Sequence, residues 1–112
     1  MSVFKNLPKL VELYLQNNQI PAIKDFEGLT SLKKLNLRHN KIDKMEEGLP
    51  ELPALEYLNL RSNKIANLDD CLHLFAAAPL LTDLNLLNNP CELQYSSMNI
   101  LICTFLNLHR GK

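Results

Sequence analysis

One eleven-residue pattern, LxxLxLxxN followed by two closing residues, occurs four times: Leu10–Ile20 (LVELYLQNNQI), Leu32–Ile42 (LKKLNLRHNKI), Leu55–Ile65 (LEYLNLRSNKI) and Leu81–Cys91 (LTDLNLLNNPC). Self-similarity at a period in the twenties marks a stack of short units, none of which can bury its apolar face alone. The asparagines Asn18, Asn40, Asn63 and Asn89 lie 22, 23 and 26 residues apart. The intervening halves also align. Ile20-x-x-Ile23 matches Ile42-x-x-Met45 and Ile65-x-x-Leu68, while Phe26-x-x-Leu29-x-x-Leu32 matches Leu49-x-x-Leu52-x-x-Leu55 and Phe75-x-x-Ala78-x-x-Leu81. Between those two blocks the third repeat is four residues longer than the first. That is about one helical turn, and it predicts a helix over residues 70–77, ended by Pro79.

The spacing dictates a geometry. Leu13 and Leu15 are two residues apart, so a short strand turns both to one face and Tyr14 to the other. Stacking the repeats gives a parallel sheet with a ladder of leucines inside. Only one face carries apolar residues, so the other must be the open, concave face of a solenoid. The expected fold is therefore α/β: a curved parallel sheet of about four strands, a helical or irregular convex side and a C-terminal cap helix. Asn18, Asn40, Asn63 and Asn89 are expected to turn inward and satisfy backbone groups where the chain leaves each strand.

A single domain over 1–112 is expected, with a partial repeat at 1–9, repeats at 10–90 and a cap at 91–112. Phe4-x-x-Leu7-x-x-Leu10 is the second half of a repeat whose first half is missing. In the cap, Met98, Leu101, Ile102, Phe105 and Leu108 form a helical stripe, flanked by the further apolar residues Ile100, Cys103 and Leu106. Self-association through uncapped ends follows as an expectation.

Lys and Arg number 12 and Asp and Glu 12, so no net field favours nucleic acid or an anionic membrane. No apolar run approaches the roughly 18 residues of a membrane span, and the amino terminus lacks the pattern of a signal peptide. The cysteines, Cys71, Cys91 and Cys103, are odd in number and show no paired spacing. That usage points to a reducing, cytoplasmic compartment.

No cofactor, metal or catalytic group is expected. Cys71-x-His73 would splay around a helix rather than converge. A zinc site from Cys91, Cys103 and His109 is one ligand short, and the only glycines, Gly28, Gly48 and Gly111, form no phosphate loop.

Strand alternation places four columns on the concave face. They are Glu12, Lys34, Tyr57, Asp83; Tyr14, Asn36, Asn59, Asn85; Gln16, Arg38, Arg61, Leu87; and Asn17, His39, Ser62, Asn88. Glu12 faces Lys34 as an exposed ion pair. Arg38 beside Arg61 places like charges on adjacent strands, and an acidic ligand would relieve their repulsion. Tyr14, Lys34, Arg38, Tyr57, Arg61 and Leu87 are thus the candidate protein-binding residues.

The repeat resembles the intracellular leucine-rich-repeat class that includes a regulatory subunit of protein phosphatase 1 and an outer-arm dynein light chain. LEYLNLRSNKIANL (Leu55–Leu68), LNLLNNPC (Leu84–Cys91) and Tyr95 are similar to the C-terminal repeats of leucine-rich-repeat proteins of the ciliary radial spoke. The chain departs from that family where Ser96 follows Tyr95 and His109 follows Leu108. The resemblance implies a scaffold without catalytic activity, with radial-spoke or axonemal protein partners, in the cilium. The alternative it implies is a regulatory or targeting subunit of an enzyme such as a phosphatase.

Overall fold

The computed structural model describes residues 6–45 and 49–91. The cap stripe, Tyr95, Cys103, His109 and the start of the partial repeat, Phe4, lie outside them. Four short strands, β1 (Glu12–Tyr14), β2 (Lys34–Asn36), β3 (Tyr57–Asn59) and β4 (Asp83–Asn85), form one parallel sheet in sequence order. The register pairs Leu13 with Leu35, Leu35 with Leu58 and Leu58 with Leu84, so equivalent repeat positions stack directly.

The middle of the stack is the core. Leu32, Leu35, Leu37, Ile42, Leu55, Leu58, Leu60 and Ile65 are fully buried, joined from the convex side by Ile23, Phe26, Leu29, Met45 and Leu52. Burial weakens at the first repeat. Leu10, Leu13, Leu15 and Ile20 occupy the same repeat positions but are only partly buried, because no earlier layer covers them among the described residues.

The convex side is helical where the repeat is long enough. A 3-10 turn at Ile23–Asp25 serves the first repeat, and one at Leu68–Asp70 opens the third. The longer third repeat then holds a true helix, α1 (Cys71–Ala77), as the four-residue insertion predicts. Cys71, Leu74 and Phe75 face the core, and Ala78 closes the helix through its N–H to the Leu74 carbonyl at 2.8 Å. At the N-terminal end, Asn6 donates to the Glu27 carbonyl at 2.7 Å. A Cβ on Gly28 (φ +74°) would lie 2.9 Å from the Asn6 backbone, so this docking requires glycine.

No helix among the described residues is long and apolar enough to cross a membrane.

Candidate functional site

The turn that closes each strand sets the shape of the concave face. Asn17, His39, Ser62 and Asn88 hold the same repeat position and have φ between 59° and 62°. L-residues enter this left-handed region sparingly, asparagine and histidine more readily than most. The following asparagine then turns in. Asn40, Asn63 and Asn89 are buried. Each donates through Nδ2 to its own repeat and to the one before: Asn63, for example, reaches the Leu60 carbonyl at 3.0 Å and the Leu37 carbonyl at 2.9 Å. Their Oδ1 atoms accept the N–H groups of Ile20, Ile42 and Ile65, each at 3.0 Å. The expected ladder therefore forms at three positions.

Asn18 is the exception. It is exposed and, among the described residues, donates only within its own repeat, to Leu15 at 2.9 Å and Gln16 at 3.2 Å. Asn40, Asn63 and Asn89 turn inward onto the repeat before each of them, and no such repeat stands before Asn18 among the described residues.

The second column is also not the free surface that strand alternation suggests. Asn36, Asn59 and Asn85 are half-buried. Each Oδ1 accepts the N–H two residues on, from Arg38, Arg61 and Leu87, all at 3.0 Å. These Asx turns bend the chain out of the strand and fix where the third column starts. The spacing Asn-x-Arg, Asn-x-Arg, Asn-x-Leu carries that signal in the sequence.

The remaining positions form the exposed surface. Tyr14 and Tyr57 are exposed at 53% and 40%, and Leu87 at 42%. Tyr14 donates its hydroxyl to Glu12 Oε1 at 3.1 Å, and that bond raises the tyrosine's pKa above its ordinary value. Lys34 pairs with Glu12 at 3.9 Å, as strand register requires. It is the one ion pair among the described residues.

Arg38 and Arg61 sit side by side where the backbone carries the sheet's bonding past the strand ends. Asn17 donates to the Arg38 carbonyl at 2.9 Å and His39 to the Arg61 carbonyl at 2.8 Å. Arg38 is exposed. Arg61 is not the fully solvated side chain that alternation implies: it is half-buried, and its Nε is enclosed without a hydrogen-bond partner. Part of the Arg61 side chain is therefore packed against the protein and withdrawn from water. Arg38, His39, Gln16, Asn36 and Ser62 line a polar depression of about 450 Å³. His39 Nδ1 lies 2.9 Å from Asn17 Oδ1, and Asn88 donates to Ser62 Oγ at 3.2 Å. The depression thus has one arginine, Arg38, at its wall and a hydrogen-bonded floor, and Arg61 lies outside its lining.

On the convex flank, the inserted turn opens a second cleft of about 510 Å³ between Asp43, Lys64, Asp70 and His73. Its charges are mixed, and Asp70 Oδ2 already accepts the Met45 N–H at 3.4 Å. No group of three His, Cys, Asp or Glu side chains among the described residues is placed to hold a metal ion. Cys71 and Cys91 are both buried free thiols. Burial first, then the neighbouring Cys91 and the acidic Asp70 and Asp69, push the Cys71 thiol up to about 12.

A family model described as "Leucine rich repeat" matches residues 1–42, and one described as "Leucine Rich repeats (2 copies)" matches residues 30–74. The chain is a leucine-rich-repeat solenoid. No curated protein and no solved structure matches it. The matched repeats include β1, β2 and β3 and so carry most of the concave face. Leucine-rich repeats are generally protein-interaction modules without catalytic activity.

Proposed function

We propose that this solenoid is a non-catalytic adaptor whose concave face binds an acidic segment of a partner protein. The observation that carries it is the pairing of Arg38 with Arg61. Two adjacent cations share one face, and neither has an acidic partner among the described residues, while Lys34 alongside is matched by Glu12. A partner carboxylate between them would relieve their repulsion beside the polar depression that Arg38 lines, which offers further donors. Tyr14, Tyr57 and Leu87 supply the apolar contacts such an interface needs. Lys34 lies at the edge of the same surface.

The partner is an axonemal protein, and the chain a radial-spoke scaffold in the cilium. What supports this reading is the likeness of residues 55–68 and 84–91 to leucine-rich repeat-containing protein 23 of the radial spoke. A regulatory subunit of protein phosphatase 1, supported by the 22-residue repeat class, is the second reading. Capture from ciliated-cell lysate separates them. Spoke or axonemal proteins on the bait support the first, and a phosphatase catalytic subunit replaces it with the second. A bait carrying Arg38→Glu and Arg61→Glu must lose the captured partner; retention would sink the concave-face reading.

A further inference from the structure

The polar depression on the concave face draws its lining from three successive repeats: Gln16 and Asn17 from the first, Asn36, Arg38 and His39 from the second, and Ser62 from the third. These lining residues include no Asp or Glu. Most of their side-chain acceptors are already used inside the protein. Asn36 Oδ1 accepts the Arg38 backbone N–H at 3.0 Å, Asn17 Oδ1 lies 2.9 Å from His39 Nδ1, and Ser62 Oγ accepts from Asn88 Nδ2 at 3.2 Å. An amide oxygen can only accept, so His39 Nδ1 is the donor of its pair. Gln16 Oε1 and His39 Nε2 are the side-chain acceptors of the lining that remain.

What the same side chains have left over is mainly donors. Asn17 Nδ2, Asn36 Nδ2, the Gln16 amide, the Ser62 hydroxyl proton and the Arg38 guanidinium have no partner among the described residues. Arg61, outside the lining, adds a second positive charge in the same column as Arg38. A carboxylate offers two oxygens in one plane, and a single guanidinium satisfies both. The other donors would then go unmatched. A phosphate monoester offers three acceptor oxygens and a charge of about −1.5 to −2 at neutral pH. That suits donors drawn from three repeats and two neighbouring arginines.

We infer, on the acidic-segment reading of the concave face, that the depression binds the phosphate of a phosphorylated side chain on a partner protein. A protein segment is favoured over the free anion because apolar surface continues on the same face, where Tyr14, Tyr57 and Leu87 are exposed. In an extended segment, residues two apart point the same way. An apolar residue two positions from the phosphorylated one therefore meets the same face of the sheet.

Two peptides with blocked ends carry the test: Leu-Ala-phosphoserine-Ala-Leu, and Leu-Ala-Glu-Glu-Leu, whose two carboxylates match the phosphate in charge. Each is titrated into the isotopically labelled chain, and affinity is read by NMR from the side-chain amide signals of Gln16, Asn17 and Asn36. The phosphoserine peptide should bind at least about tenfold more tightly than the diglutamate peptide and shift all three amides. Asn36→Asp keeps the oxygen that accepts the Arg38 N–H, and so the turn, but replaces a donor with a negative oxygen. It should abolish binding of the phosphoserine peptide. Ser62→Gly removes the hydroxyl at a position whose φ of 61° glycine adopts without strain. It should weaken that peptide at least about threefold, with circular dichroism unchanged. Equal affinity for the two peptides would overturn the phosphate and leave the acidic-segment reading standing. Amide signals that neither peptide moves would overturn both at this depression. Unchanged binding by Asn36→Asp would put the peptide elsewhere and overturn the proposal too. Inorganic phosphate that matches the phosphoserine peptide in affinity would assign the depression to the free anion and overturn the partner segment.

Discussion

The side-chain oxygen of Asn63 accepts the backbone N–H of Ile42 at 3.0 Å, across 21 residues of chain. Through the same side chain the amide donates to Leu60 in its own repeat and Leu37 in the one before. One buried residue therefore ties two repeats together and sets their spacing, which in turn fixes the curvature that presents Arg38 beside Arg61.

Removing that tie leaves buried backbone groups unpaired. Asn63→Ala should cost roughly 1–3 kcal/mol, and Asn18→Ala clearly less, because Asn18 is exposed and, among the described residues, bonds only locally. Urea unfolding of both variants measures the difference. Equal losses would mean that the interrepeat bonds contribute nothing beyond the local turn.

The leucine ladder makes a parallel comparison. Leu37 and Leu60 are fully buried, and truncating either to alanine should cost roughly 2–5 kcal/mol. Leu15, at the same repeat position but only partly buried, should lose less. Thermal unfolding monitored by circular dichroism orders the three variants. A Leu15→Ala loss as large as that at Leu37 would contradict the weak cover at the first repeat.

These contrasts show what could be read from the residues and what could not. Period-two leucines and the recurring asparagine carry the sheet, its order and its register, because each repeat offers the same side chains to the same neighbours. The four extra residues of the third repeat carry α1, since one turn of helix needs that length. Asn18 could not be judged by its motif, which is identical to that of Asn40: burial belongs to the neighbouring repeat, not to the residue. Asn36, Asn59 and Asn85 alternate correctly onto the open face, yet a short amide side chain is captured by the backbone two residues on. Arg61 has the same repeat position as Arg38, two residues past the end of its strand. A long flexible stem can pack against the protein or extend from it, and spacing does not distinguish the two.

Cys71 supplies a pH-dependent test. Its folded pKa, about 12, is raised above the ordinary 9.0 of a free thiol. A raised pKa means stability is fully present below about pH 9 and is lost as pH climbs toward 12, because the unfolded chain ionises first. Stability should fall by at most about 1.4 kcal/mol per pH unit in that window through this group. Comparing wild type with Cys71→Ala across pH 8–12 isolates its share from other titrations. Native Cys71 should also react slowly with a thiol reagent at neutral pH. Fast labelling without unfolding would show that the thiol is accessible.

Arg61 separates stability from binding most directly. Its Nε is enclosed and unpartnered, and an unsatisfied buried donor costs roughly 1–3 kcal/mol. Arg61→Met keeps an apolar stem at that position and removes that donor along with the charge. Folding stability should therefore stay level or rise, as measured by urea denaturation. Arg38→Met should barely change stability, since Arg38 is exposed. Binding should respond differently: both variants should weaken association with the acidic partner, and added salt should weaken the unmutated complex in the same direction, because exposed charges are screened over about 8–10 Å. Calorimetric titration of the captured partner at two salt concentrations reads this out. If Arg61→Met destabilises the fold by more than about 1 kcal/mol, the enclosed Nε is satisfied after all in solution. If neither variant alters affinity and salt has no effect, the arginine pair does not contact the partner, and the concave face loses its claim to be the binding site.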